Sequence, residues 1–361
     1  MSGVARDRIV ENLAAVGILP AGSEATVRSA LYDDGAREHS PWYIQALLAA
    51  GAWLAAILFT VFFFGSLLSG VKNPMVHLTL GLSVCGGSAW IMRVKPEARF
   101  LVQFALALGI AGQLLFGYGF GDLADEFFAA ALAVTVINIA LIPLARQRLQ
   151  TFLSVMIASG ALLTALWDLK WWMGTNFLAL LLALGVTAAW EIKPWYVRHQ
   201  WRPAGYGLVM SFFGVLHLSL LPASDIFRYR GQETSWWITT VGLWVLLALV
   251  MVRIAGSLGH GWKSRPVLML LAGVGVLAVT AHNSPGILGA LLVLGLGYQR
   301  RDRLLSGLAV LFLAVFLSAY YYHLELTLLE KSAALAASGA VLLLFAFLLK
   351  KTAPTGESAH A

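Results

Sequence analysis

Three carboxylates fall within five consecutive residues, at Asp122, Asp125 and Glu126. Such a group can act as a general base or gather cations, provided its neighbours hold it in place. Farther along, Asp168 stands two residues before Lys170, and histidines occur at His77, His217, His282 and His323. Imidazole is both a metal ligand and a proton switch near neutral pH. None of these histidines sits in a ligand-spaced motif such as H-x-x-x-H, so each reads as an interfacial hydrogen-bonding group. Neither a nucleophile elbow, a P-loop nor a metal-hydrolase signature accompanies the acids. The expectation is a protein that is not an enzyme, with no catalytic residue, cofactor or metal. A membrane enzyme whose Asp122, Asp125 or Glu126 acts on a lipid-linked substrate stands as the outside reading.

The elements that must position these groups are set by composition. Of 361 residues, 59% are hydrophobic and 12% charged, and the mean hydropathy is +0.78. Soluble domains are about a quarter charged. One aqueous core cannot hide that much apolar surface, so the bilayer must be the main solvent. The net charge of +7 is spread over short loops. Nucleic-acid binding would need a clustered basic face, and the positive-inside rule accounts for the excess better. The lone cysteine, Cys85, lies in an apolar run; it allows no internal disulfide and reads as a small core residue. The mostly polar stretch before the first apolar run argues against a cleavable signal peptide.

Residues 1–43 read as a cytoplasmic helical arm, with short helices over Arg6–Val16 and Ser23–Tyr32. Ser23 is placed to cap the second. The arm either lies against the membrane face or docks a partner. Apolar runs follow at 44–69, 75–92, 100–120, 127–144, 151–167, 171–190, 206–221, 236–254, 267–281, 286–298, 304–322 and 333–349. A spanning helix needs about 20 residues. The pair 267–281 and 286–298 is the weakest, divided only by residues 282–285. Charge decides it: with twelve spans, 20 of the 25 Lys and Arg fall on one side, whereas merging the pair weakens the split to 16 against 9. The expectation is an all-α, polytopic helical membrane protein of about twelve transmembrane helices over 44–349, both termini cytoplasmic, with a disordered cytoplasmic tail at 350–361. Eleven of the thirteen tryptophans, Trp90, Trp190 and Trp236 among them, sit near predicted helix ends, as interfacial indoles should. Trp53 and Trp244 lie deep.

The third run carries Gly109, Gly112, Gly117 and Gly119 ahead of Gly121, and the tenth carries Gly286, Gly289, Gly295 and Gly297. Small residues let membrane helices approach closely; a substrate path with exposed backbone is the sharper alternative. No Asp, Glu, Lys or Arg falls near the centre of a run, which lowers the odds of proton coupling, since such groups mark relays. The deep polar residues Gln103, Gln113, Thr135, Asn138 and Asn176 read as interhelical links. In a six-plus-six division, the connections after the third and ninth runs match in position, the second holding His282 and Asn283. Matched interruptions of this kind can mark a transporter site, so a permease or channel for a small or lipidic solute, using Gln113, His282 and Asn283, is the runner-up.

Three stretches carry a resemblance: YYYHLELTLLEKS at Tyr320–Ser332, SPWYIQALLAAGAWLAAILF at Ser40–Phe59, and ALALGIAGQ ending at Gln113. Together they resemble a bacterial family of polytopic membrane proteins, domain of unknown function 4401. That resemblance implies the bacterial cytoplasmic (inner) membrane and a protein partner, because members are typically encoded beside a small membrane-anchored protein bearing a GDYXXLXY motif. It implies no activity. The chain is then expected to be a non-enzymatic subunit of a membrane complex that holds its partner through outer loops. The candidate contacts are Asp122, Asp125, Glu126 and Asp168, with Tyr322 at the end of the eleventh run and Glu325, Glu330 and Lys331 beyond it. Glu330 and Lys331 either pair with a partner, pair with Asp168 and Lys170, or cap helix ends.

Overall fold

The computed structural model describes residues 42–62, 65, 70–145, 147–192, 201–220, 236–259, 261, 263–280 and 284–323. Eleven α-helices and no strand occur among them. These are α1 Trp42–Phe62, α2 Pro74–Val94, α3 Arg99–Ala124, α4 Phe127–Ala145, α5 Arg148–Asp168, α6 Met173–Glu191, α7 Arg202–His217, α8 Trp237–Ser257, α9 Arg265–Thr280, α10 Pro285–Arg300 and α11 Arg303–His323. A 3-10 turn, Leu218–Leu220, prolongs α7. Each of the first eleven apolar runs meets one helix, and the doubtful pair forms two, α9 and α10. Residues 1–41, the run 333–349 and the tail 350–361 lie outside the described residues, as do His282, Asn283, Glu325, Glu330 and Lys331.

Helix ends follow local chemistry. Asn73 caps α2, its side-chain oxygen accepting from Met75 N at 3.0 Å, with Pro74 in the first turn where its missing N–H costs nothing. Gln147 caps α5 through Gln150 N at 2.7 Å. Three helices end in a left-handed residue that is not glycine: Asp125 after α3, Lys170 after α5 and Arg301 after α10. Each is followed by a 6→1 backbone bond of the Schellman type, as in Asp302 N to Gly297 O at 2.9 Å. Charged residues thus make the tightest reversals.

Among the described residues eight helices, α2 to α8 and α11, are long and apolar enough to cross a membrane. Their outward residues are apolar too: Leu114 is 67% exposed and Val136 65%. In water such a surface would aggregate; in lipid it is the solvated face. The helices α9 and α10 have 16 residues each, a length of about 24 Å at about 1.5 Å per residue, short of a hydrocarbon core of about 30 Å.

Packing forms two cores. In the first, Cys85, Ala89 and Met92 of α2 meet Val102, Ala105 and Leu106 of α3, with Ile137 and Leu141 of α4. The second gathers α6, α7, α8, α10 and α11 around Phe212, Phe213, Leu243, Leu292 and Phe316, all fully buried. Helix α5 joins them: Leu149 and Leu153 pack on the first core, Leu162, Leu163 and Leu166 on the second. Glycines serve close approach, as expected of α3. A Cβ on Gly81 of α2 would stand 2.6 Å from Phe116 N and 2.9 Å from Gly112 O.

The deep polar residues divide. Gln103 accepts from Trp53 Nε1 at 3.2 Å, and Asn176 accepts from Thr239 Oγ1 at 2.6 Å, so both link helices. Thr135 Oγ1 reaches Ala158 O of α5 at 3.4 Å while holding Ala131 O of its own helix at 2.9 Å. Asn138 instead donates within α4, to Val134 O. The tryptophans divide too: Trp90 is 65% exposed, whereas Trp190 and Trp236 are buried at 5% and 8%. Proximity to a helix end does not separate a headgroup anchor from a core wedge.

Candidate functional site

The carboxylate group is built by the end of α3 and the start of α4. The expected loop at residues 121–126 shrinks, because α3 continues through Ala124 and takes Asp122 into its last turn. Asp125 then turns the chain at φ 52°, and α4 begins at Phe127. Gly117 and Gly121 allow the two helices to converge there, a Cβ on Gly121 standing 3.0 Å from Ala130 Cβ. On the outer flank of this pair, with α5 as its far wall, runs a groove of about 750 Å³. Asp122, Asp125 and Glu126 line one end; Gly117, Ala130, Ala131, Ile157, Gly160 and Ala161 line the rest. Among the described residues nothing lies within 4 Å of a Cβ on Gly160, so there this glycine opens the groove rather than closing a helix contact.

All three acids are exposed, and none of their carboxylates has a hydrogen-bond or ion-pair partner among the described residues. Asp168 is placed differently. Its Oδ2 accepts from Phe128 N at 3.0 Å, so the end of α5 satisfies a free amide in the first turn of α4. It steadies the acidic end and does not line the groove. Gln113 is 1% exposed inside α3, with neither amide atom partnered among the described residues, and it does not line the groove either. Tyr322, 78% exposed near the end of α11, stacks edge-on against Tyr321 and does not line the groove. His77 packs edge-on to Tyr118, a groove residue, at 5.2 Å. Among the described residues no three of His, Cys, Asp and Glu gather at one point.

A second polar centre lies at the opposite end of the bundle, reached along α6 from the turn at Lys170 to Glu191. Arg300 Nε donates to Trp190 O at 2.7 Å and its Nη2 to Glu191 O at 3.2 Å, a cation on the carbonyl end of α6. Arg253 pairs with Glu191 at 2.7 Å. Asp302 caps α11, accepting from Leu305 N at 3.2 Å, and also receives Arg202 Nη2 at 2.9 Å and Tyr206 Oη at 2.8 Å. Burial pushes the Asp302 carboxyl up, and the hydrogen bonds from Tyr206, Leu305 N–H and Arg202 outweigh it, leaving the group below its ordinary value. Sequence reasoning missed this centre. Its one signal was an acid enclosed by arginines in Arg300-Arg301-Asp302-Arg303.

The first arrangement offers free carboxylates above an apolar, glycine-floored trough; the second is a satisfied network that ties helix ends together. Comparison with known proteins adds a family and no activity. No curated protein matches the chain, and no solved structure does. The profile described as domain of unknown function (DUF4401) matches residues 41–352. With more than four fifths of its length covered, the chain belongs to the DUF4401 family.

Proposed function

We propose that this protein is a non-enzymatic, twelve-span subunit of a bacterial cytoplasmic-membrane complex, with both termini in the cytoplasm, and that it holds a membrane-anchored partner in the α3–α5 groove. The observation that carries the proposal is the pairing of Gly160, with open space above it, and three unpartnered carboxylates at the groove's end. A glycine that meets no other helix among the described residues leaves a backbone surface free for one. Acids at its rim select a helix with a Lys or Arg flank. The distribution of basic residues supports the acidic end as the outer one. A trough lined by α3, α4 and α5 suits one transmembrane helix of a small anchored protein, and the GDYXXLXY-motif protein is the partner to try.

Co-expression with that protein and purification in mild detergent tests the reading. The pair should copurify. Gly160→Leu, or Asp122→Asn with Asp125→Asn and Glu126→Gln, should abolish copurification while leaving the thermal stability of the isolated chain unchanged. Copurification that survives both changes would remove the groove from the proposal.

One observation favours a permease as the second reading: the unpartnered amide of Gln113 buried in α3. Flux in proteoliposomes that falls on Gln113→Leu would support it. The packed second core, with Leu288, Leu292 and Leu296 fully buried along α10, weighs for the subunit.

A further inference from the structure

The turn between α10 and α11 holds four successive charged residues, Arg300 to Arg303, and among the described residues two of their side chains have internal partners. Arg300 is spent on the carbonyls of Trp190 and Glu191. Asp302 is engaged by Arg202, Tyr206 and Leu305 N–H. The side chains of Arg301 and Arg303 remain exposed, with no hydrogen-bond or ion-pair partner among the described residues. The backbone holds Arg301 at φ 54°, pinned by Arg301 N to Tyr298 O at 3.2 Å and Asp302 N to Gly297 O at 2.9 Å. Beside this turn, the ends of α8, α10 and α11 enclose a recess of about 580 Å³. Both arginines, Gln299 and Ser306 line it, over an apolar floor that includes Ile254 and Leu258. Gln299 Oε1 is buried there with no donor among the described residues.

We infer that this recess binds the headgroup of an anionic phospholipid, its phosphate held by Arg301 and Arg303. The two guanidiniums supply planar donors suited to phosphate oxygens. Asp302 lines the same recess, and its charge is already answered by Arg202, so the site stays cationic. Ile254 and Leu258 give the glycerol backbone and first methylenes an apolar surface that free phosphate would not use. The recess sits where α8 and α11, each long enough to cross a membrane, reach their ends, which is the depth of the headgroups. It is remote from the groove, so its fate and that of the partner proposal are separate.

The full-length chain in phosphatidylcholine nanodiscs, titrated with phosphatidylglycerol and followed by its tryptophan-detected melting temperature, tests this. Phosphatidylglycerol should raise the melting temperature saturably, while added phosphatidylcholine and inorganic phosphate should not. Arg301→Gln with Arg303→Gln should melt as wild type in phosphatidylcholine and require about 30-fold more phosphatidylglycerol for half the shift, and Arg303→Gln alone about 5-fold more. An undiminished response in both variants overturns the inference. So does an equal rise with inorganic phosphate, which would make the recess a free-anion site, or with phosphatidylcholine, which would make the effect a general one of lipid.

Discussion

Arg202 and Asp302 stand one hundred residues apart in the chain and 2.9 Å apart in space. The same carboxylate takes Tyr206 Oη and caps α11, so α7 and α11 converge on one side chain. Asp302→Ala removes the cap and strands the Tyr206 hydroxyl, with an expected loss of about 3 kcal/mol. Arg202 contributes little of this, since its side chain is 43% exposed and well screened. Asp302→Asn keeps a capping oxygen and should lose about half as much. Reversible unfolding in mixed micelles measures both, and equal losses would show that charge, not capping, dominates.

The depressed Asp302 carboxyl fixes the sign of one pH effect. Its folded value lies below the unfolded one, so the unfolded chain binds the proton more readily and the stabilisation is fully present above the unfolded value of about 4. It is lost as pH falls through the folded value. Melting temperature should therefore drop between pH 5 and the acid limit more steeply in wild type than in Asp302→Asn, as scanning calorimetry can record. Parallel curves would contradict the assignment.

Two glycines of similar sequence context should behave oppositely. At Gly81 an added methyl meets backbone atoms Phe116 N and Gly112 O, which cannot step aside, and Gly81→Ala should destabilise by about 1–3 kcal/mol. At Gly160 the methyl meets nothing within 4 Å, and Gly160→Ala should be neutral or gain up to about 1 kcal/mol from helix propensity. Melting temperatures decide; a destabilised Gly160→Ala would mean that the groove is occupied by the chain itself.

Asp168 and Asp122 separate support from display. Asp168→Ala leaves Phe128 N–H without its acceptor and should cost about 1 kcal/mol, with Asp168→Asn close to wild type. Asp122→Ala touches no described contact and should leave stability unchanged. Were Asp122→Ala the more harmful in thermal denaturation, the acid would belong to the framework.

The helices were legible because lipid imposes a simple rule on the chain: apolar runs of spanning length between charged or Pro-marked ends, which is what α2 through α8 follow. Gln103 and Asn176 were readable as links, since a buried amide in lipid has few other uses. Asn138 was not, because its choice of Val134 O over a neighbouring helix depends on packing. Nor was Asp168, whose partner Phe128 lies forty residues away and is named only by the fold. The Asp302 centre escaped for a different reason. Charges near helix ends were weighed by sign and side of the membrane, and a sum over loops hides an acid that neutralises one arginine and seats another's neighbour.

The division of labour along α5 has a consequence for biogenesis. Among the described residues, every member of the first core, and each apolar neighbour packed on it, lies between Trp53 and Leu153, so these contacts can form in the nascent chain before α6 is translated. The remaining half then has a finished surface to assemble on, with the later turns of α5 as its template. Truncation after Asp168 should leave a protease-resistant fragment in the membrane, whereas a chain begun at Met173 would have to insert without that guide.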